Sequence, residues 1–134
     1  MTTYESKVTH LHSPIEQAYA TLSDLRNLEQ FKDRLPSDKI QDISFTEDAC
    51  HFTISPIGRV ALVIVDREPN KTIKFAAENI PTEFNLWIQL LPTDTASKMK
   101  ITIKIDIPIF LKPMIGNRIQ EVVDTMALAI SQTL

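Results

Sequence analysis

The chain has 134 residues, 43% hydrophobic and 23% charged, with a formal net charge of -3. That length predicts one unit, residues 1–134, burying roughly two-thirds of its surface without a disulfide or metal staple. The acidic balance argues against nucleic acid and against a polybasic grip on anionic lipid. Cys50 is the only cysteine, which excludes an internal disulfide and fits a reducing, cytoplasmic setting. The polar opening MTTYESK has no signal-peptide core, and the apolar run VALVIV (Val60 to Val65) is too short for stable membrane insertion.

Only two glycines occur, so eight prolines supply the punctuation. Residues 3–11 read as a first strand. SPIEQAYATL then opens a helix, with Ser13 as N-cap, Pro14 in the first helical position and Glu16 completing a capping box. Ile15, Ala18, Tyr19 and Leu22 form its apolar stripe. SDLRNLEQFKDRL predicts a second short helix capped by Ser23 or Asp24, with Leu25, Leu28, Phe31 and Leu35 inward.

From Ile40 the hydrophobic period changes to two. IQDISF, CHFTI, RVALVIVDR, TIKFAAE and FNLWIQLL read as strands joined by short turns such as SPIG and EPNK. KMKITIKIDIPIF (Lys98 to Phe110) is a further strand, with Met99 and five isoleucines alternating against lysines, Thr102 and Asp106. The closing segment from Pro113 places Ile115, Ile119, Val122, Val123, Met126, Ala127 and Ile130 on one helical face. About 20 residues at 1.5 Å each span roughly 30 Å, enough to cross a sheet. The expected class is α+β: about seven antiparallel strands curved around a long C-terminal helix, with two short helices after strand 1.

Strand parity assigns an inner face to Phe52, Ile54, Leu62, Ile64, Ile73, Phe75, Phe84, Leu86, Ile88, Ile101, Ile103 and Ile105. The facing helix adds Ile119, Val122, Val123 and Met126, and Phe31 with Leu35 forms a lid. Two arrangements satisfy such a face. It packs as ordinary core, or it walls a cavity for an apolar molecule held by shape and burial.

Three stretches carry a family resemblance. SPIEQAYATLSDLRNLEQF (Ser13 to Phe31), VDREPNKTIKF (Val65 to Phe75) and FLKPMIGNRIQEVVDTMALAI (Phe110 to Ile130) resemble the START-like (SRPBCC) superfamily. Its members include polyketide cyclases and dehydratases, lipid-transport domains and heat-shock ATPase activators. The resemblance spans essentially the whole chain and implies the helix-grip fold. It also implies an apolar ligand between sheet and last helix. These are patterns of hydrophobicity and turns, not catalytic signatures, and no enzyme motif of the family matches residue by residue.

Other residues carry less chemistry. His10 and His12 share a strand face, but zinc takes three or four ligands and no metal or other cofactor is expected. Cys50 and His51 point to opposite faces, which rules out a nucleophile–base pair. Asp24, Glu78, Asn79 and Glu83 lie near element ends; one of them, Tyr19 or Asn117 would have to enter the cavity to serve as an acid or base. Trp87 points outward with Asn85 and Gln89. With Val63 and Ala76 it forms a candidate homodimer interface, or else it lies across the Lys74 and Lys100 stems. The expected function is binding of a lipid, isoprenoid or polyketide-like molecule. The alternatives are a cyclase or dehydratase, and a protein-interaction module with a collapsed cavity.

Overall fold

The computed structural model describes residues 1–34, 40–54, 58–80 and 82–134, with the backbone alone at 31, 32, 34, 54, 111, 114 and 115. These form an open, curved antiparallel sheet with helices on its inner face. The strands are β1 (Thr2–Glu5), β2 (Thr9–Leu11), β3 (Ile40–Phe45), β4 (Ala49–Ile54), β5 (Gly58–Glu68), β6 (Thr72–Glu78), β7 (Phe84–Pro92) and β8 (Ser97–Ile105). Their order is β1-β8-β7-β6-β5-β4-β3, with β2 also paired to β8. From β3 to β8 each strand pairs with the next, as short connections between alternating strands dictate. The β5–β6 turn places Asn70 at φ 60°, a left-handed position that asparagine tolerates, and Lys71 N–H donates to Glu68 O at 3.0 Å.

The expected first strand is two strands. The chain breaks at Ser6, which is buried. Its N–H donates to Ile101 O at 2.8 Å, and its Oγ accepts from Ile101 N–H at 2.9 Å. A side-chain oxygen thus replaces a backbone carbonyl in the ladder. No glycine or proline marks this break.

Helix α1 (Ile15–Leu22) begins at Pro14, whose carbonyl accepts from Ala18 N–H at 2.9 Å. The expected capping box with Ser13 and Glu16 does not form, because no side chain caps this helix. Ser13 Oγ donates instead to Leu134 O at 2.8 Å, and Ser97 Oγ donates to Ser13 O at 2.7 Å. Leu25–Arg34 is a 3-10 helix. Asp24 starts it, with Oδ1 accepting from Arg26 N–H at 3.1 Å.

β8 ends at Ile105, three residues before Pro108, so the expected strand to Phe110 is too long. Ile107 is buried, but Ile109 and Phe110 lie in a 3-10 turn (Ile109–Leu111) and are 83% and 76% exposed. Helix α2 (Lys112–Thr133) then packs along β1, β2 and β8 and meets the 3-10 helix. No helix among the described residues is long and apolar enough to cross a membrane.

The inner face has two halves. Over β7 and β8, helix α1 lays down Ala18 and Leu22, both fully buried, against a cluster that includes Ile88, Met99, Ile101, Ile103 and Val123. Toward β3, from β7 onward, the described residues leave space over the sheet, and that part holds the site.

Candidate functional site

A cavity of about 140 Å³, partly open to solvent, lies between the sheet, the 3-10 helix and α2. Ile40, Ile43 and Phe45 of β3 and Cys50 and Phe52 of β4 form one wall. Leu62, Phe75, Leu86 and Ile88 form the floor. Leu25 and Leu28 come from the 3-10 helix, and Val122, Met126, Ala129 and Ile130 from α2. The floor follows from strand register: Leu86 stands opposite Phe75 and Ile88 opposite Ile73, so one face of each strand turns inward together.

Phe52, Leu62, Phe75, Leu86, Ile88, Val122 and Met126 of the expected lining face the cavity. Ile101, Ile103 and Val123 do not; they are buried in the packed cluster, and Phe84, Ile105 and Ile119 pack against its rim. Their neighbours on α1 and α2 fill the space over β8, so the dry face of that strand is core. Leu35 lies outside the described residues, as do the side chains of Phe31 and Ile54.

Leu25 and Leu28 turn inward as expected for their helix, and β3 and Cys50 add to the expected cavity lining. Leu25 and Leu28 sit three apart on a 3-10 helix, whose three-residue turn eclipses them on one side. On β3 the register shifts between Gln41 and Ser44, with Asp42 at φ 53°. Such a bulge resets which side chains turn inward, and Arg59 fastens it by donating from Nη2 to Ser44 Oγ at 3.3 Å and from Nη1 to Asp42 O. Cys50 stands opposite Leu62 and shares its inward face.

Among the described residues the cavity wall is apolar apart from the Cys50 thiol. Burial pushes that thiol up to about 11, outweighing the nearby Arg59 charge. His51 stands opposite Ala61 on the other face. The acidic candidates do not enter the cavity. The Arg26 guanidinium, donating to both Asp24 oxygens at 3.0 and 2.6 Å, holds that carboxyl below the usual carboxylate range. A general acid needs the opposite shift. Glu78, Asn79, Glu83 and Asn117 are exposed, and Tyr19 packs against the core cluster. Among the described residues no three His, Cys, Asp or Glu side chains gather in a metal-holding group.

The lining residue Leu25 is tied to the turn between β3 and β4. Leu25 N–H donates to Glu47 O at 3.0 Å, and Ile64 N–H to Asp48 O at 2.8 Å. Arg67 donates from Nη2 to Asp48 Oδ1 at 2.6 Å and to Ser23 O at 2.8 Å. On the outer face, Trp87 lies under two ammonium groups, Lys74 Nζ at 5.5 Å and Lys104 Nζ at 5.6 Å from the ring centroid. Lys104 takes the place expected for Lys100.

No family model matches the chain, and no curated protein matches its sequence. Solved structures do resemble it. Truncated norcoclaurine synthase from Thalictrum flavum aligns over 98% of this chain and 91% of its own, with a TM-score of 0.72 and 14% identity. An uncharacterised protein from Bacillus thuringiensis aligns over 98% and 97%, with a TM-score of 0.71 and 13% identity. The Aha1 dimer from Colwellia psychrerythraea aligns over 100% and 96%, with a TM-score of 0.66 and 15% identity. At such identities the likeness is one of fold: a curved antiparallel sheet with a long C-terminal helix.

Proposed function

We propose that the protein binds an apolar small molecule in the cavity between the sheet and α2. One observation carries this reading: a cavity of about 140 Å³ whose described lining offers only hydrocarbon, aromatic and thioether surface and one protonated thiol. An apolar cavity of this kind favours an apolar guest over water, which needs polar partners. Helix-grip neighbours such as norcoclaurine synthase accord with a ligand-binding fold in general.

The volume sets the class. A space of this order holds about one benzene-sized ring or a short hydrocarbon segment. A lipid, isoprenoid or polyketide-like ligand therefore places one such segment inside and keeps its polar part at the open side. At about 0.8 kcal/mol per buried CH₂, a six-carbon segment gains roughly 5 kcal/mol before association costs. That is no better than about 0.2 mM for the segment alone. Tighter binding draws on contacts outside the cavity.

A cyclase or dehydratase reading needs an acid or base on the wall, and the described lining supplies only Cys50. An interaction-module reading rests on the outer face, and the Colwellia Aha1 structure is itself a dimer.

Native mass spectrometry of protein purified without detergent tests the proposal. The expected result is an apolar adduct lost on denaturation, or in its absence benzene-induced NMR shifts confined to the Leu62, Leu86 and Met126 methyls. An apo mass together with no shift of those methyls overturns it.

A further inference from the structure

The outer face of the sheet carries a charge gradient across its strands. β8 turns Lys98, Lys100, Thr102 and Lys104 outward, opposite Leu91, Gln89, Trp87 and Asn85 of β7. On the other flank β5 turns out Asp66, opposite Lys74, and Glu68, opposite Thr72, while Glu78 of β6 stands opposite Ala61. Asp66, Glu68, Glu78 and Lys104 are exposed. Between the flanks runs a low strip, where Val63 faces Ala76 and Ala76 faces Asn85, with Trp87 in the next row.

We propose that this face is the interface of a two-fold symmetric homodimer whose axis runs along the strands between β6 and β7. A rotation about that axis exchanges the two flanks and keeps each row. β8 of one copy then lies over β5 of the other, and β7 over β6. Lys100 meets the partner's Glu68 in one row, and Lys104 reaches the partner's Asp66 from the neighbouring row. Trp87 settles over the partner's Lys74 beside the small Ala76 of the partner subunit. Sheets packed about 10 Å apart are bridged by side chains of these lengths. The other in-plane axis, across the strands, would stack β8 on β8 and set lysine against lysine, which complementarity forbids.

The occupant is a second copy because the face contains both halves of the match. A self-complementary patch is what a two-fold interface requires. A purely basic or purely acidic partner would satisfy one flank and be repelled by the other. Lys100 Nζ, on a half-buried side chain, stands 3.6 Å from Glu5 Oε2 within its own copy, a loose pair that leaves the ammonium able to reach across.

Sedimentation velocity on the full chain, over a range of concentrations at low and high ionic strength, tests this. The expected result is a concentration-dependent dimer that weakens with salt. Lys100→Glu or Glu68→Lys alone weakens it by about tenfold or more, and the two together restore it. A wild-type chain that stays monomeric throughout overturns the proposal. So does a double variant no better than the single ones, and so does a dimer indifferent to both salt and Lys100→Glu. Far-UV circular dichroism of each variant confirms that these solvent-facing changes leave the fold intact.

Discussion

Tyr4 leaves no room for a methyl group on Gly116. A Cβ built there stands 2.8 Å from the tyrosine hydroxyl oxygen and 3.6 Å from Cζ. Tyr4 lies on β1 and Gly116 in the first half of α2, so the pair sets how closely the helix approaches the sheet edge. Only the hydroxyl is too near; the ring carbons are at ordinary contact distance.

Gly116→Ala therefore has a sign that depends on residue 4. In the native background we expect a loss of about 1–2 kcal/mol, because overpacking outweighs the better helix propensity of alanine. In a Tyr4→Phe background the same change gains up to about 1 kcal/mol. A double-mutant cycle by urea denaturation reads the coupling directly. Equal effects in both backgrounds would show that the contact does not govern the helix position.

Filling the cavity separates binding from stability. Ala129→Val adds two methyl groups to the α2 wall. We expect it to abolish the benzene-induced NMR shifts while leaving stability unchanged or raised by about 1 kcal/mol. Phe75→Ala, which enlarges the floor, should cost about 3–5 kcal/mol. Retained binding in Ala129→Val would move the ligand elsewhere.

Cys50 reports on the same space. Its thiol is raised from 9.0 to about 11 by burial. Below pH 9 the folded and unfolded chains both hold the proton, and the preference for the neutral thiol is fully present. As pH rises from about 9 to about 11 the unfolded chain loses the proton first, so stability falls. Thermal unfolding across that window should drop more steeply for the wild type than for Cys50→Ala. Alkylation of the native thiol should be slow at neutral pH, and slower still with benzene bound. Parallel pH profiles for the two proteins would contradict the assignment.

Ser6→Ala removes the acceptor of a buried backbone N–H, that of Ile101. We expect a loss of about 1–3 kcal/mol, since the donor is left without a partner. Ser6→Thr keeps the oxygen and should recover part of it. Hydrogen exchange at the Ile101 amide distinguishes this cause from general loosening, because protection there should fall more than at Met99 or Ile103.

The alternation of Leu62, Phe75, Leu86 and Ile88 with polar residues made the sheet and its floor legible, because strand pairing fixes side-chain direction two by two. Parity alone cannot say what lies above a strand. Ile101 and Ile103 read identically to Leu86 and Ile88 in sequence, yet only the second pair lines the cavity. The bulge at Asp42 breaks the period on which such readings depend. The Ser6 kink has no proline or glycine to announce it. Ser13 has every local mark of a helix cap, but a carbonyl 121 residues away claims its hydroxyl.

That distant carbonyl has a consequence for assembly. Leu134 O accepts from His12 N–H at 2.8 Å, from Ser13 N–H at 2.6 Å and from Ser13 Oγ at 2.8 Å. The strands from β3 to β8 meet their sequence neighbours and need only short closures. This triple contact joins opposite regions of the chain, and contacts of such separation are costly in entropy to make early. The helix that supplies it also supplies Val122, Met126, Ala129 and Ile130 to the cavity. The cavity therefore has no counterpart in a half-assembled chain. A nascent sheet presents an open greasy face, and only the docked final helix turns it into a cleft with walls.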